Sequence, residues 1–240
     1  MQTLNVYGDS HTRFFALIPE LSRFKKKYLA GFDVNVRFFG GSTVLGLPRR
    51  KSTLSVNIEI SDTVADAITV LNFGQVDVEL GYFYRKVVKG EDIDFDDFTE
   101  RLVESYKTFL SSVMDRARMI IVKGVNPPVL IPQGKATKYI ARIISSKQER
   151  KKHVRQLELL REMLPSIQER TSMSKRYNAR LKKTCDGLGL CYFDIWDVLI
   201  NKKTGRVKDL FIPARRNHHL VDSVWIRRQH WKALIKYLPK

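Results

Sequence analysis

The strongest constraint on this chain is an almost unbroken apolar run, "AITVLNFG" at 67–74. A strand with one face in water alternates apolar and polar side chains. A run that is apolar throughout fits a strand covered on both faces, as in a parallel sheet sandwiched between helices. Other β-rich runs flank it: 4–7, 34–39, "RMIIVKGVNPP" stopped by Pro127 and Pro128, and "LCYFDIWDVL" leading into a short helix or turn. Helical patterns are expected between them, over 12–28, 95–116 and 223–237. Strand–helix alternation of this kind predicts an open, mostly parallel α/β sheet of five strands, with all 240 residues in a single domain.

Between the fourth and fifth strands lies a long basic helical segment, expected as an insertion at about 133–183, with Pro165 breaking it. Leu157, Leu160, Leu164 and Ile167 recur at helical spacing, the pattern of a core-facing stripe. The basic block at 147–155 is the best candidate for an anion-binding face. With 43 Lys and Arg against 25 Asp and Glu, the chain carries a net charge of +18. That charge speaks to partners such as anionic glycans, nucleotide-sugar phosphates or nucleic acid, and says nothing of the fold. No nucleic-acid motif accompanies it.

Two cysteines, Cys185 and Cys191, are too few for a disulfide framework or a cysteine-based zinc site. The start, "MQTLNVYGDS", goes straight into a strand without a basic-then-apolar leader. No apolar stretch approaches the roughly 18 residues of a membrane helix. The chain therefore reads as cytoplasmic.

In open α/β sheets, sites form at the carboxyl ends of the strands. Three polar segments fall there, at 8–11, 40–43 and 74–77. Ser10 follows a tight Gly8-Asp9 turn and opens a helix, where backbone N–H groups and the positive helix end favour a developing oxyanion. A serine or aspartate there also serves as an N-cap. Gly41 allows close backbone approach to a ligand and offers a second N–H. "RRNHHLVDSVW" places His218 and His219 ahead of the last helix, where one can reach back to Ser10 as its base. As a metal pair these histidines find only Asp222 nearby as a third ligand, so neither metal nor cofactor is expected. "VDVELGYFYRKV" sets Asp77 and Glu79 beside Tyr82, the composition of a sugar-binding wall, and Gln75 precedes them.

In the order of these segments the chain resembles the SGNH, or GDSL-like, hydrolases. "VYGDSHTRFF" matches the first block, with Ser10 in the nucleophile position. "FGGSTVLGL" resembles the second, with Gly41 the oxyanion glycine, and "LNFGQVDVE" stands where the third belongs. "RNHHL" puts His219 in the position of the catalytic histidine. The resemblance implies a flavodoxin-like three-layer α/β/α sandwich. Two departures stand out. Val76 replaces the third-block asparagine that donates to the oxyanion, a loss worth ~10²–10³ in rate. Arg216 stands where the aspartate three residues before the histidine belongs, and an arginine cannot orient an imidazole N–H.

The expected activity is therefore a Ser–His ester hydrolase or acyl transferase on an O-acylated carbohydrate, with Ser10 and His219 catalytic, Asp9 and Asp77 bracing the loops, and the N–H groups of Ser10 and Gly41 as oxyanion donors. Gln75, Asp77, Glu79, Tyr82, His218, Arg215 and Arg216 are the expected substrate contacts. Arg215 and Arg216 also suit an anionic or phosphate-bearing ligand. A second expectation is a transferase of surface-glycan assembly using a nucleotide-sugar donor, with Asp9 or Asp77 as base. A third is a non-catalytic polyanion- or glycan-binding module.

Overall fold

The computed structural model describes residues 1–49, 54–146, 150–214 and 217–239. Five strands, β1 (Gln2–Gly8), β2 (Phe32–Phe38), β3 (Ile68–Asn72), β4 (Met119–Lys123) and β5 (Cys191–Phe193), form one sheet in the order β2-β1-β3-β4-β5. Every pairing in it is parallel. Among the described residues, eight α-helices surround or extend it: α1 (Ser22–Tyr28), α2 (Val56–Thr63), α3 (Phe95–Val113), α4 (Gln133–Ile144), α5 (Arg150–Met163), α6 (Ile167–Gly187), α7 (Trp196–Leu199) and α8 (Val224–Leu234). A small hairpin, β6 (Ile200–Asn201) and β7 (Arg206–Val207), follows α7.

All five residues of β3 are buried, as an apolar run predicts for a central strand. Successive side chains divide between two layers. Ile68 and Val70 join Leu4, Val6, Ile121 and Trp231 in one core, under α1 and α8. Leu71 joins Tyr7, Val122, Phe98, Leu102 and Tyr177 in the other, under α2, α3 and α6. In α3, Phe98, Leu102, Tyr106, Phe109 and Val113 make one buried stripe at spacings of three and four. Each such side chain contributes about 1.5–3 kcal/mol by leaving water.

The helix expected over 12–28 is broken. A 3-10 turn covers Ser10–Phe15, another Pro19–Leu21, and α1 begins only at Ser22. Pro19 has no N–H to continue a helix from Phe15, so it starts a new turn. The basic segment between β4 and β5 is three helices, α4 to α6. Leu160 and Leu164 of the expected stripe are buried, whereas Ile167 lies part-exposed at the mouth of a cleft. Residues 147–149 of the basic block lie outside the described residues.

The sheet order puts a switch point beside β1, since β2 lies on one side of it and β3 on the other. Chain segments leaving β1 and β3 part there and leave a crevice. Gly8 closes β1 against both neighbours, paired with Phe38 and Asn72. A Cβ on it would overlap the Asn72 carbonyl and the Thr12 hydroxyl.

Candidate active site

The residues after β1 turn at once. Asp9 is fully buried, and its Oδ1 accepts from the His11 backbone N–H at 2.9 Å, so Asp9 rather than Ser10 caps the 3-10 turn. That leaves the Ser10 hydroxyl free for another partner. It lies 2.7 Å from Nε2 of His219, a hydrogen bond across 209 residues of sequence. The last loop is held for this contact from two sides. The His219 backbone N–H donates to Asn217 Oδ1 at 2.8 Å. Asp222 beyond it is clamped by Arg227 (Nε to Oδ1 2.8 Å, Nη2 to Oδ2 2.9 Å) and by Arg13 at 2.8 Å. Arg227 also donates to the carbonyls of Arg13 and Ala16, tying α8 to the Ser10 turn.

Asp222 is thus committed to arginines. No carboxylate among the described residues hydrogen-bonds the His219 ring. Arg215 and Arg216 lie outside the described residues.

Sequence reasoning missed His11. Its ring is 1% exposed, with Nδ1 3.0 Å from Asp9 Oδ1 and Nε2 3.1 Å from the His218 carbonyl. The signal was present as a histidine directly after Ser10, but its partners are about two hundred residues away in the chain. His11, His218 and His219 form a triangle, with ring centroids 4.3 Å apart for 11–219, 4.2 Å for 218–219 and 5.0 Å for 11–218. Burial opposes charge on His11, but the Asp9 carboxylate outweighs it and holds His11 above its ordinary value. The other two go the other way. Burial, then the neighbouring His11 charge, pushes His219 down to about 3; burial, His11 and His219 push His218 down to about 2. His219 is therefore neutral near pH 7, and its tautomer protonated on Nδ1 is the one whose Nε2 can accept the serine proton.

The second and third segments are braced against each other. Asp77, 1% exposed, accepts from the Val44 N–H at 2.8 Å and so fixes the loop that carries Gly41. Burial pushes its carboxyl up to about 7. Gly41 has φ +76, a conformation that favours glycine, and is exposed. Neither the Ser10 nor the Gly41 N–H donates to any described residue, so both remain open to a ligand oxygen.

Three expected substrate contacts, Gln75, Glu79 and Tyr82, are buried among protein partners. Gln75 does not replace the missing oxyanion donor, because its Nε2 is spent on Glu79 Oε1 (2.8 Å) and the Asn126 carbonyl (3.0 Å), and its Oε1 takes the Asn126 N–H at 2.6 Å. Glu79 is 7% exposed, its carboxyl raised to about 7 by burial although His11 and Arg170 pull it down. Tyr82 is 8% exposed and packs edge-on against Phe83 and Phe95. The sequence 75–88 is helical with wide π turns at Asp77–Gly81 and Tyr84–Val88. His218 is buried too, its Nδ1 hydrogen-bonded to Tyr139 of α4 at 2.8 Å.

A cleft of about 860 Å³ lies between the N-terminal ends of α4 and α6 and the segment before the histidine loop. Ile131, Pro132, Ile167 and Ile212 give it an aliphatic wall, and Gln133, Gln168, Arg206 and Asp209 polar edges. Its wall runs to Ala214, five residues before His219. Gln133 and Tyr139 share α4, so the cleft lies roughly 9 Å along that helix from the Tyr139–His218 contact.

A five-stranded parallel sheet with a serine after its first strand, paired to a histidine ahead of its last helix, has the fold of the SGNH, or GDSL-like, hydrolases. Solved structures agree across the full chain. Axe2, an acetylxylan esterase from Geobacillus stearothermophilus, superposes with a TM-score of 0.57 at 12% identity, over 98% of this chain and 93% of its own. A GDSL-like lipase from Bacteroides thetaiotaomicron gives 0.52 at 11% identity, over 98% of this chain and 88% of that one. No family model matches the sequence. No curated protein matches it either. Among the described residues no helix is long and apolar enough to cross a membrane.

Proposed function

We propose that the protein is a serine ester hydrolase or acyl transferase that removes or moves an O-acyl group on a carbohydrate. The observation that carries this reading is the 2.7 Å contact between Ser10 Oγ and His219 Nε2. Ser10 attacks the acyl carbonyl as its proton passes to Nε2. The oxyanion of the tetrahedral intermediate lies against the N–H groups of Ser10 and Gly41. The C–O bond to the sugar breaks, the sugar oxygen takes the proton from His219, and the acyl group remains on Ser10. Water then releases the acid, or a second sugar hydroxyl accepts the acyl group.

The site works without two usual supports. An orienting carboxylate is worth roughly 10⁴ in turnover where one has been removed from a triad. A missing oxyanion donor costs a further ~10²–10³. A slow enzyme, or one whose bound substrate completes the site, is the consequence. The carbohydrate is inferred from the acetylxylan esterase among the structural neighbours. The aliphatic and polar cleft ending near the histidine loop suits the part of the substrate beyond the ester. The nucleotide-sugar alternative loses its proposed bases: Asp9 Oδ1 is held by His11, and Asp77 is buried on the Val44 N–H.

The test is release of acetate from p-nitrophenyl acetate and from acetylated xylooligosaccharides by the wild type and by Ser10→Ala. Turnover abolished in the variant supports the reading. Turnover unchanged in the variant, or none in the wild type on either substrate, contradicts it.

A further inference from the structure

We infer that His11, His218 and His219 form a binding site for a divalent transition metal of the Zn²⁺ class, and that the metal switches the serine off. The metal site stands on its own geometry; only the switching rests on the Ser10–His219 reading.

Each of the three residues brings one ring nitrogen within 4.8 Å of the others. Tetrahedral Zn²⁺ with Zn–N of about 2.0–2.1 Å needs nitrogens about 3.3 Å apart and ring centroids about 5 Å apart. The centroids already lie 4.2–5.0 Å apart, so the rings are as close together as a three-histidine centre requires. They are tilted 23–29° to one another. Closing the site brings nitrogens that lie within 4.8 Å of one another to about 3.3 Å.

The outer partners are those of a metal centre. A ligating histidine almost always commits its other nitrogen to a carboxylate, a carbonyl or another polar group, which fixes the tautomer. Asp9 Oδ1 takes Nδ1 of His11 at 3.0 Å, and Nε2, which now meets the His218 carbonyl at 3.1 Å, is the nitrogen that a metal would take over. The Tyr139 hydroxyl takes Nδ1 of His218 at 2.8 Å, which leaves Nε2. That Nε2 is buried and has no hydrogen-bond partner. A buried polar nitrogen without a partner is costly, and a metal ion supplies what it lacks. Imidazole suits Zn²⁺, Cu²⁺ and Ni²⁺, and the buried carboxylates of Asp9 and Glu79 offset the added charge.

The switching follows from which nitrogen of His219 is used. A metal on Nε2 replaces the Ser10 hydroxyl that now sits there at 2.7 Å. A metal on Nδ1 leaves the ring proton on Nε2, which then cannot accept from serine. Either way Ser10 loses its base.

Co²⁺ titration of the chelator-treated full chain tests the site, and fluorophosphonate labelling with and without Zn²⁺ tests the switch. The site predicts one equivalent of Co²⁺ with tetrahedral visible bands. Tyr139→Phe should weaken binding about 10–100-fold, and His218→Ala should weaken it further, with unchanged circular dichroism showing that each variant folds. Zn²⁺ should block labelling and a chelator restore it. Absent bands, or bands that His218→Ala leaves unchanged, overturn the metal site. Bands together with labelling indifferent to Zn²⁺ overturn the switch. A wild type that never labels removes the serine reading, while the Co²⁺ bands still decide the site.

Discussion

Replacing Glu79 with Gln perturbs the charge beneath the site while keeping its shape. Glu79 is close enough to His11 for their charges to interact, with Oε1 accepting from Gln75 and Oε2 buried without a partner. Gln keeps the accepting oxygen and leaves one orphaned atom as before. Burial raises this carboxyl from 4.5 to about 7. An acid raised on folding contributes most below its unfolded value, and that contribution is lost as pH rises through the folded one. Wild type therefore loses stability between about pH 4.5 and 7 and keeps the deficit above. A rise of this size is worth about 3 kcal/mol once ionisation is complete. For a chain of this length that is roughly 6–12 °C in Tm. The assay is calorimetric melting of both proteins from pH 5 to 9. Asp77 is present in both, so the difference reports Glu79 together with its coupling to His11. Glu79→Gln should gain on wild type steadily as pH rises and level off above neutrality. Parallel Tm curves would refute the claim that a buried, strained carboxyl sits there.

Three further outcomes follow from the contacts. Gly8→Ala should cost about 3 kcal/mol, because its Cβ meets the Asn72 backbone at a strand pairing as well as the Thr12 hydroxyl; a melt within about 2 °C of wild type would count against the packing. Asp77→Ala at pH 6 should cost about 1–3 kcal/mol by leaving the buried Val44 N–H unpaired, and should lower kcat more than it raises KM if Gly41 serves the oxyanion; equal esterase kinetics would disconnect that loop from the reaction. Arg227→Ala should loosen α8 from the Ser10 turn and lower both Tm and esterase activity, and calorimetry with a kinetic assay would show whether the two fall together.

Much of the fold was legible because its signals are local. The apolar run at 67–74 marks a central strand, and the stripe from Phe98 to Val113 marks a helix face. Ser10 and His219 were legible as positions in an ordered set of post-strand segments. Their 2.7 Å contact was not, since 209 residues separate them. Composition misled at Glu79 and Tyr82. Aromatics beside carboxylates look like a sugar wall in sequence, but Glu79 and Tyr82 are buried against protein partners. His11 was missed because an imidazole after a serine gives no local sign that it will stack on residues at the far end of the chain.

The central claim is that Ser10 is a nucleophile served by His219, and peptide mass spectrometry after fluorophosphonate treatment in the presence of a chelator tests it most directly. The account predicts one covalent adduct, on Ser10, formed in the wild type and lost in His219→Ala although that variant stays folded. No adduct, an adduct on another residue, or equal labelling of Ser10 without His219 would contradict it.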